Sequence, residues 1–439
     1  MRARVPSLAT PPEVKKREDE RITQERRYKL ITPLFGGGVE PNQADPITVV
    51  RGTEIRGQLR FWWRATRGGQ FNGDLDKMRQ AEAAIWGAAA GNGGPSKVNV
   101  YVYDVVEGKL DRPFEVTRNR YGRPSIRPRK DSVVPAYAAF PLQPEKKEAR
   151  IGMETAAVRV GVEFILEVSY PQDNAIQQEI EAALWAWETF GGLGARTRRG
   201  FGALQLLSVN DDGVPVTPSG KFKAALRKKL QHLVVNGKWP DDVPHLGHDM
   251  RIEVYRPSHH ISPIQVWSHL IGKLQDFRQK RHKHMGLSLW PEANEIRYRL
   301  NRSLKWPKRN KSPKLVHKFP RAVFGLPILF HLPHDKNLYT NSFTLRGKPD
   351  SKTGKTFERL ASPLLLKPIV CADGHAVGLV AVLKAPFVPP HGLEIEGFPT
   401  NKRDVEWQVT NNESNTDPLE EMLLGQTDVL QAFLTFLKK

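Results

Sequence analysis

Residues 175–209 read AIQQEIEAALWAWETFGGLGARTRRGFGALQLLSV, and the order of elements in this stretch decides how the first half of the chain folds. Ile176, Ile180, Leu184 and Trp187 recur at helical spacing, which predicts a helix over Ala175–Phe190 with one apolar face. Gly191 and Gly192 end it, because glycine releases the backbone from helical geometry without steric penalty. Phe201–Val209 then predicts a strand, rich in apolar residues and free of proline. Helix, glycine loop, strand is the reverse of the order that a dinucleotide-binding glycine loop requires, so that class of site is excluded here.

Upstream, Val158–Tyr170 is a β-rich run, and Lys97–Val106 alternates in the manner of a strand. Two helices precede them, over Leu75–Ala90 and from an N-cap at Thr53 through Ile55, Leu59, Trp62 and Trp63. A strand over Tyr28–Leu34 comes first. The sum is βαββαβ, an α+β domain of the ferredoxin-like or RRM-like plan, in which helices cover one sheet face and leave the other to meet RNA. The Arg-rich, Pro-punctuated stretch Arg112–Pro144 reads as an inserted hairpin or loop.

On this reading residues 1–24 form a flexible basic arm, and 25–210 the first domain. The turn-forming run DDGVPVTPSG, Asp211–Gly220, is a linker. Residues 221–439 make a second, mixed α/β domain. It has helices over Lys221–Val235 and Ile264–His284, strands near Val323–Leu332 and Gly378–Leu383, and a terminal helix from Pro418. No fixed-period repeat is visible, though a diverged second copy of the ferredoxin-like fold fits in this half.

Lysine and arginine number 67 against 47 acidic residues, a net charge of +20, so the expected partner is a polyanion, nucleic acid first among them. Cys371 is the single cysteine, which excludes intrachain disulfides and cysteine-based zinc sites and suits a reducing cytoplasm. No run approaches the ~18 apolar residues of a membrane span, and the charged N-terminus lacks the apolar stretch of a secretory signal. SKTGKT, Ser351–Thr356, has Pro349 where a phosphate loop needs its first glycine, so it reads as a surface turn. No cofactor, metal or small-molecule substrate is expected.

Three constellations suit RNA. Arg56, Arg60 and Arg64 lie four residues apart on one helix side, and such a like-charged stripe is more easily tolerated when phosphates neutralise it; a solvated basic face is the plainer alternative. Gly191, Gly192 and Gly194 open a loop whose amides, with Arg196, Arg198 and Arg199, can hold phosphates; a glycine-rich cap with incidental arginines is the alternative. From Ile296 to His334 there is no acidic residue, and Arg302, Lys305 and Trp306 stand in a basic and aromatic run that suits single-stranded RNA and equally a disordered basic loop.

TPLFGGG (Thr32–Gly38), IRGQLRFWWRA (Ile55–Ala65), AAIWG (Ala83–Gly87) and GGLGARTRRGFG (Gly191–Gly202) resemble the first RAMP subunits of the Cmr, or type III-B, CRISPR complex. FGLPI (Phe324–Ile328) and ERLASPLLLKPI (Glu358–Ile369) resemble the C-terminal region of those subunits. The resemblance implies a non-catalytic subunit at one end of a helical assembly, near the 3′ end of the guide. Its implied partners are guide RNA, target single-stranded RNA and other Cmr subunits, with target cleavage left to its neighbours. Arg56, Arg60, Arg64 and the loop glycines with Arg196, Arg198 and Arg199 are the residues carried over. The alternative is a metal-independent RAMP endoribonuclease that processes guide precursors, with His259 or His260 as base.

Overall fold

The computed structural model describes residues 20–36, 45, 47–88, 94–214, 217–281, 287–303, 305, 315–332, 342–355, 357, 359–386, 388–398, 400–415 and 419–439. Tyr28 and Leu30 alternate with exposed neighbours because they sit on the covered face of strand β1, Arg21–Leu30. Helices α1 (Gly52–Arg67) and α2 (Leu75–Trp86) follow. Then come β2 (Asn99–Val106), the short β3 (Lys109–Asp111), a hairpin of β4 (Phe114–Arg118) with β5 (Pro124–Pro128), and β6 (Val158–Val160). β7 (Glu163–Pro171), α3 (Asn174–Phe190), β8 (Leu204–Val209) and a two-residue β9 (Asp212–Gly213) close the first unit.

The sheet order β2-β7-β1-β8-β9, with antiparallel neighbours throughout, is the ferredoxin-like order that βαββαβ predicts. Asp173 caps α3 by accepting from the amides of Ala175 and Ile176, and Ile180, Leu184 and Trp187 face the sheet core beside Ile55, Leu59 and Trp63 of α1. Two sequence boundaries move. β1 begins at Arg21, inside the expected arm, and α1 begins at Gly52 with Arg51 rather than Thr53 at its N-cap. The expected hairpin in Arg112–Pro144 is present as β4 and β5, rooted in a core by the buried Phe114 and Val116.

The second half runs through α4 (Phe222–Leu233), β10 (Ile252–Tyr255), α5 (Pro263–Gln279) and α6 (Glu292–Arg299). β11 (Ile328–His331), β12 (Ser342–Gly347), β13 (Leu364–Val370), β14 (Ala376–Val382), β15 (Leu393–Glu396) and β16 (Asp404–Val405) follow. Short helices α7 (Asn411–Ser414) and α8 (Leu419–Leu423) precede α9 (Val429–Phe436). β10, β13 and β14 pair in the order β10-β14-β13 with α5 after the first strand, which is the ferredoxin-like order lacking a fourth strand. α9 follows the third strand and sets Phe433 edge-to-face against Phe277 of α5, with ring centroids 5.4 Å apart. A separate sheet, β11-β12-β15-β16, is built from chain on either side of β13 and β14 and has its own small core around Phe330, Phe343 and Ile395.

The expected linker at 211–220 divides the chain but not the packing. Leu226, Leu230 and Trp239 join the first unit's core, Val235 and Leu246 donate backbone bonds to Thr66 and Ala65 of α1, and Trp239 donates to the Arg64 carbonyl. Among the described residues no helix is long and apolar enough to cross a membrane.

Candidate nucleic-acid interface

The arginine stripe forms on α1 as its spacing predicts, but its counter-ion is internal. Buried Glu82 of α2 accepts from Arg60 Nε at 2.7 Å and Arg64 Nη1 at 2.5 Å through one carboxylate oxygen, and Arg56 donates to the Trp86 carbonyl. The chain brings its own carboxylate to the stripe, a partner that no helical spacing within α1 could reveal.

The glycine loop is also turned inward. Gly202 has φ +57°, and a Cβ there would lie 1.9 Å from the Leu193 carbonyl oxygen; Gly200, at φ +81°, would meet Trp267 and Leu366. These glycines let the loop press against β13 and α5 of the second half. Its amides are largely spent within the protein: Leu193 donates to Gly202, Gly194 to the Glu54 carboxylate, Ala195 to Phe35, and Gly202 to Pro33. Arg198 donates to the Ser362 carbonyl at 2.5 Å, and Arg199 donates to those of Phe324 at 2.8 Å and Leu364 at 3.3 Å. Lys367, 1% exposed, reaches from β13 to the C-terminal carbonyls of α3, Glu188 at 2.5 Å and Gly191 at 2.9 Å, where the helix dipole and the hydrogen bonds both favour a cation. Burial nevertheless pushes Lys367 down to about 7, and burial, helped by the charges of Arg278, Arg196 and Arg198, pushes Arg199 down to about 9. Two of the three loop arginines therefore fasten the halves together. Arg196 makes no side-chain hydrogen bond among the described residues, and its Nε is buried without a partner.

In the basic run after Ile296, Trp306 lies outside the described residues. Lys305 is exposed, with its backbone amide and carbonyl held by the Asn294 side chain, and Arg302 is half-buried with its amide on the Arg297 carbonyl. The sheet's uncovered face is no basic platform. Tyr101 and Tyr103 stack there at 5.6 Å, but Tyr103 donates to Glu25, which pushes it up to about 12, and Glu163 and Glu167 offset Arg27 and Lys29.

The residues that sequence reasoning passes over are on the β4–β5 hairpin. Arg118, Arg120, Arg123 and Arg127 are exposed, none forms an ion pair among the described residues, and Arg120 lies 4.6 Å over the ring of Tyr121, itself 70% exposed. The Asn119 side-chain oxygen shapes the tip by accepting from the amides of Tyr121 and Arg123, and Gly122 takes φ +75° in the turn. Glu115, opposite Arg127, is the one acidic residue in this two-stranded ribbon. The alternation of Arg with Tyr, Pro and Gly is the available signal, and it lies within a stretch that reads as an insertion.

His259 and His260 are exposed on the loop before α5; His260 Nε2 lies 2.9 Å from the Gly374 carbonyl oxygen and its ring 5.2 Å from that of His375. Ser351–Lys355 is an exposed turn pinned by the Asp350 carboxylate, as expected. Among the described residues no group of three His, Cys, Asp or Glu side chains could hold a metal ion.

Residues 27–205 match the family model of the RAMP superfamily. A curated relative from Pyrococcus furiosus, CRISPR system Cmr subunit Cmr1-2, is 26% identical over 187 residues, which covers 40% of this chain and 91% of the relative. Another from that organism, Cmr subunit Cmr1-1, is 25% identical over 163 residues, 37% of this chain and 42% of the relative. Among solved structures, apo Cmr1 from Pyrococcus furiosus shares 17% identity with a TM-score of 0.49, over 88% of this chain and 93% of that one. A chain of the type III-B Cmr-beta complex bound to cognate target RNA shares 12% identity with a TM-score of 0.48, over 95% and 100% of the two chains. The matched residues lie within the βαββαβ unit, so the likeness to the RAMP superfamily is carried by that unit.

Proposed function

We propose that the chain is a non-catalytic RNA-binding subunit of a type III-B CRISPR ribonucleoprotein, which contacts guide RNA near its 3′ end and captured target RNA in the cytoplasm beside other Cmr subunits. The curated relatives are named as Cmr subunits, and a net charge of +20 suits a polyanionic partner. The observation that carries the reading is the β4–β5 hairpin. Four exposed guanidinium groups, without an ion pair among the described residues, and an exposed tyrosine on one ribbon supply the phosphate charge and the stacking platform that single-stranded RNA requires. Arg196 and Lys305 are further candidate contacts.

A second reading, a metal-independent endoribonuclease, is favoured by the approach of His260 to His375, since two imidazoles can divide the roles of acid and base. Incubating the full chain with end-labelled single-stranded RNA in chelator tests both. Salt-sensitive binding that leaves the RNA intact, and that fails in R118A/R120A/R123A/R127A, supports the subunit. Discrete cleavage abolished by H260Q replaces it with the nuclease.

A further inference from the structure

On the open face of the first sheet, Glu25 of β1 stands directly opposite Glu167 of β7, and Glu167 opposite Tyr101 of β2. Two half-buried carboxylates and an exposed ring therefore share one row across three strands. Like charges in register on neighbouring strands are unfavourable unless a cation reaches them. Among the described residues none does: Arg21 is turned to the Ser169 and Lys97 carbonyls, Lys29 pairs with Glu163, and Arg27 forms no ion pair. The Glu25 carboxylate accepts from the Tyr103 hydroxyl alone, and that of Glu167 from no described residue. The charges acting on that hydroxyl are Glu25, Glu167 and the exposed Asp104, all carboxylates, and the Tyr103 ring stacks on Tyr101. In a chain of net charge +20 this row reverses the sign locally.

The tip of the β4–β5 hairpin offers the converse surface. Arg120 and Arg123 flank the exposed Tyr121, and neither forms an ion pair among the described residues. Guanidinium groups pair with carboxylates and stack on tyrosine rings, which is the chemistry that the sheet face calls for. We propose that the open face of the first sheet docks the hairpin tip of a second copy of this chain. The tip guanidinium groups neutralise Glu25 and Glu167, and Tyr121 joins the Tyr101 and Tyr103 rings. A second copy is the occupant because this chain itself carries both sides of the contact, charge and aromatic alike. Face and tip are different surfaces, so the contact is heterologous, and a pair held by one such contact keeps one free face and one free tip. Docking also withdraws the hairpin arginines from RNA, and this one consequence rests on the RNA-binding reading.

Sedimentation of the RNA-free full chain tests the contact. At low salt the average mass of wild type should rise with protein concentration, and at high salt it should return to that of one chain. E25Q/E167Q and R118A/R120A/R123A/R127A should each weaken the association about tenfold or more. E25Q/E167Q relieves a like-charge pair and keeps an acceptor for Tyr103, so it should unfold no lower than wild type, which separates lost docking from lost folding. Mixed in equal amounts, the two variants should pair and stop at two chains, since one supplies only the tip and the other only the face. A wild type that stays single, a variant that associates as wild type does, or a mixture no heavier than its parts would each overturn the proposal. A single wild-type chain that binds an arginine-rich peptide through Glu25 and Glu167 would give the face to another protein instead. Single-stranded RNA should return wild type to single chains, and E25Q/E167Q should bind RNA as wild type does. Association that persists in saturating RNA, with the mixture still pairing, would uphold the contact and remove the hairpin from the RNA site.

Discussion

The glycine loop and the β4–β5 hairpin carry similar charge and put it to opposite uses. Arg198 and Arg199 are desolvated and bonded to carbonyls of Ser362, Leu364 and Phe324, whereas Arg118, Arg120, Arg123 and Arg127 stand in water without an ion pair among the described residues. The difference comes from what lies opposite. The loop's glycines allow backbone contact with a second unit, while at the hairpin's tip a Cβ on Gly122 would meet nothing within 4 Å among the described residues. An arginine count therefore measures affinity for polyanions only after subtraction of the arginines that the fold consumes.

The inward side of the comparison breaks most clearly through pH. Lys367 has an ordinary value of 10.5 and is held near 7 in the fold, so between those limits the unfolded chain binds the extra proton and stability rises with pH, by up to about 1.4 kcal/mol per pH unit. This contribution is complete above 10.5 and lost as pH falls through 7. Arg199 shifts only above about 9, Cys371 is raised from 9.0, and His245 and His269 are lowered from 6.5, so pH 7 to 9 isolates the lysine. Urea midpoints should climb across that window in wild type and stay level in K367M; a level wild-type profile would mean that the α3 carbonyls keep the ammonium charged.

The outward side is tested by salt. R118A/R120A/R123A/R127A should bind single-stranded RNA about tenfold to a hundredfold more weakly at low salt, with the slope of log affinity against log salt reduced by about 0.7 for each phosphate that the variant no longer neutralises. Weakening with an unchanged slope would show that the hairpin acts through Tyr121 stacking and not through charge.

The same contrast explains what the sequence can show. α3, the glycine loop and β8 are legible because a helical period, a glycine break and an apolar strand follow one another locally. The start of β1 is not, because its first residues, RITQERR, look like an arm; Arg26 lies on the covered face and is neutralised there by Glu188 at 2.7 Å, a residue far away in sequence. The second ferredoxin-like unit is hidden because β10 has four residues and a separate sheet is threaded between α5 and β13 and again after β14. For the site, the loop arginines are visible and their fate is not, since Arg198 finds its carbonyl 164 residues away. The hairpin arginines are visible as composition, but only the turn at Asn119–Arg123 shows that they project together.

Between the two extremes lies the α1 stripe, with Arg60 and Arg64 side chains 38% and 31% exposed and sharing the buried Glu82. E82Q removes their counter-charge and should cost about 1–2 kcal/mol of stability, less than for a fully buried pair because solvent screens both guanidinium groups. RNA affinity should stay at the wild-type value. If it rose instead, the freed arginines would be reaching phosphate, and the stripe would belong with the hairpin.

The smallest expected effect is also the sharpest. An arginine that faces water and bonds to nothing contributes little to folding, so the quadruple hairpin variant should unfold within about 0.5 kcal/mol of wild type. Phe114 and Val116 root the ribbon, and Asn119 with Gly122 shapes its tip, all untouched by the substitutions. A slight gain is reasonable, because the four charges repel one another along the ribbon in a chain of net charge +20. A loss of more than about 1 kcal/mol would mean that these arginines are anchored as Arg198 and Arg199 are, and the separation of fastening from binding arginines would fail.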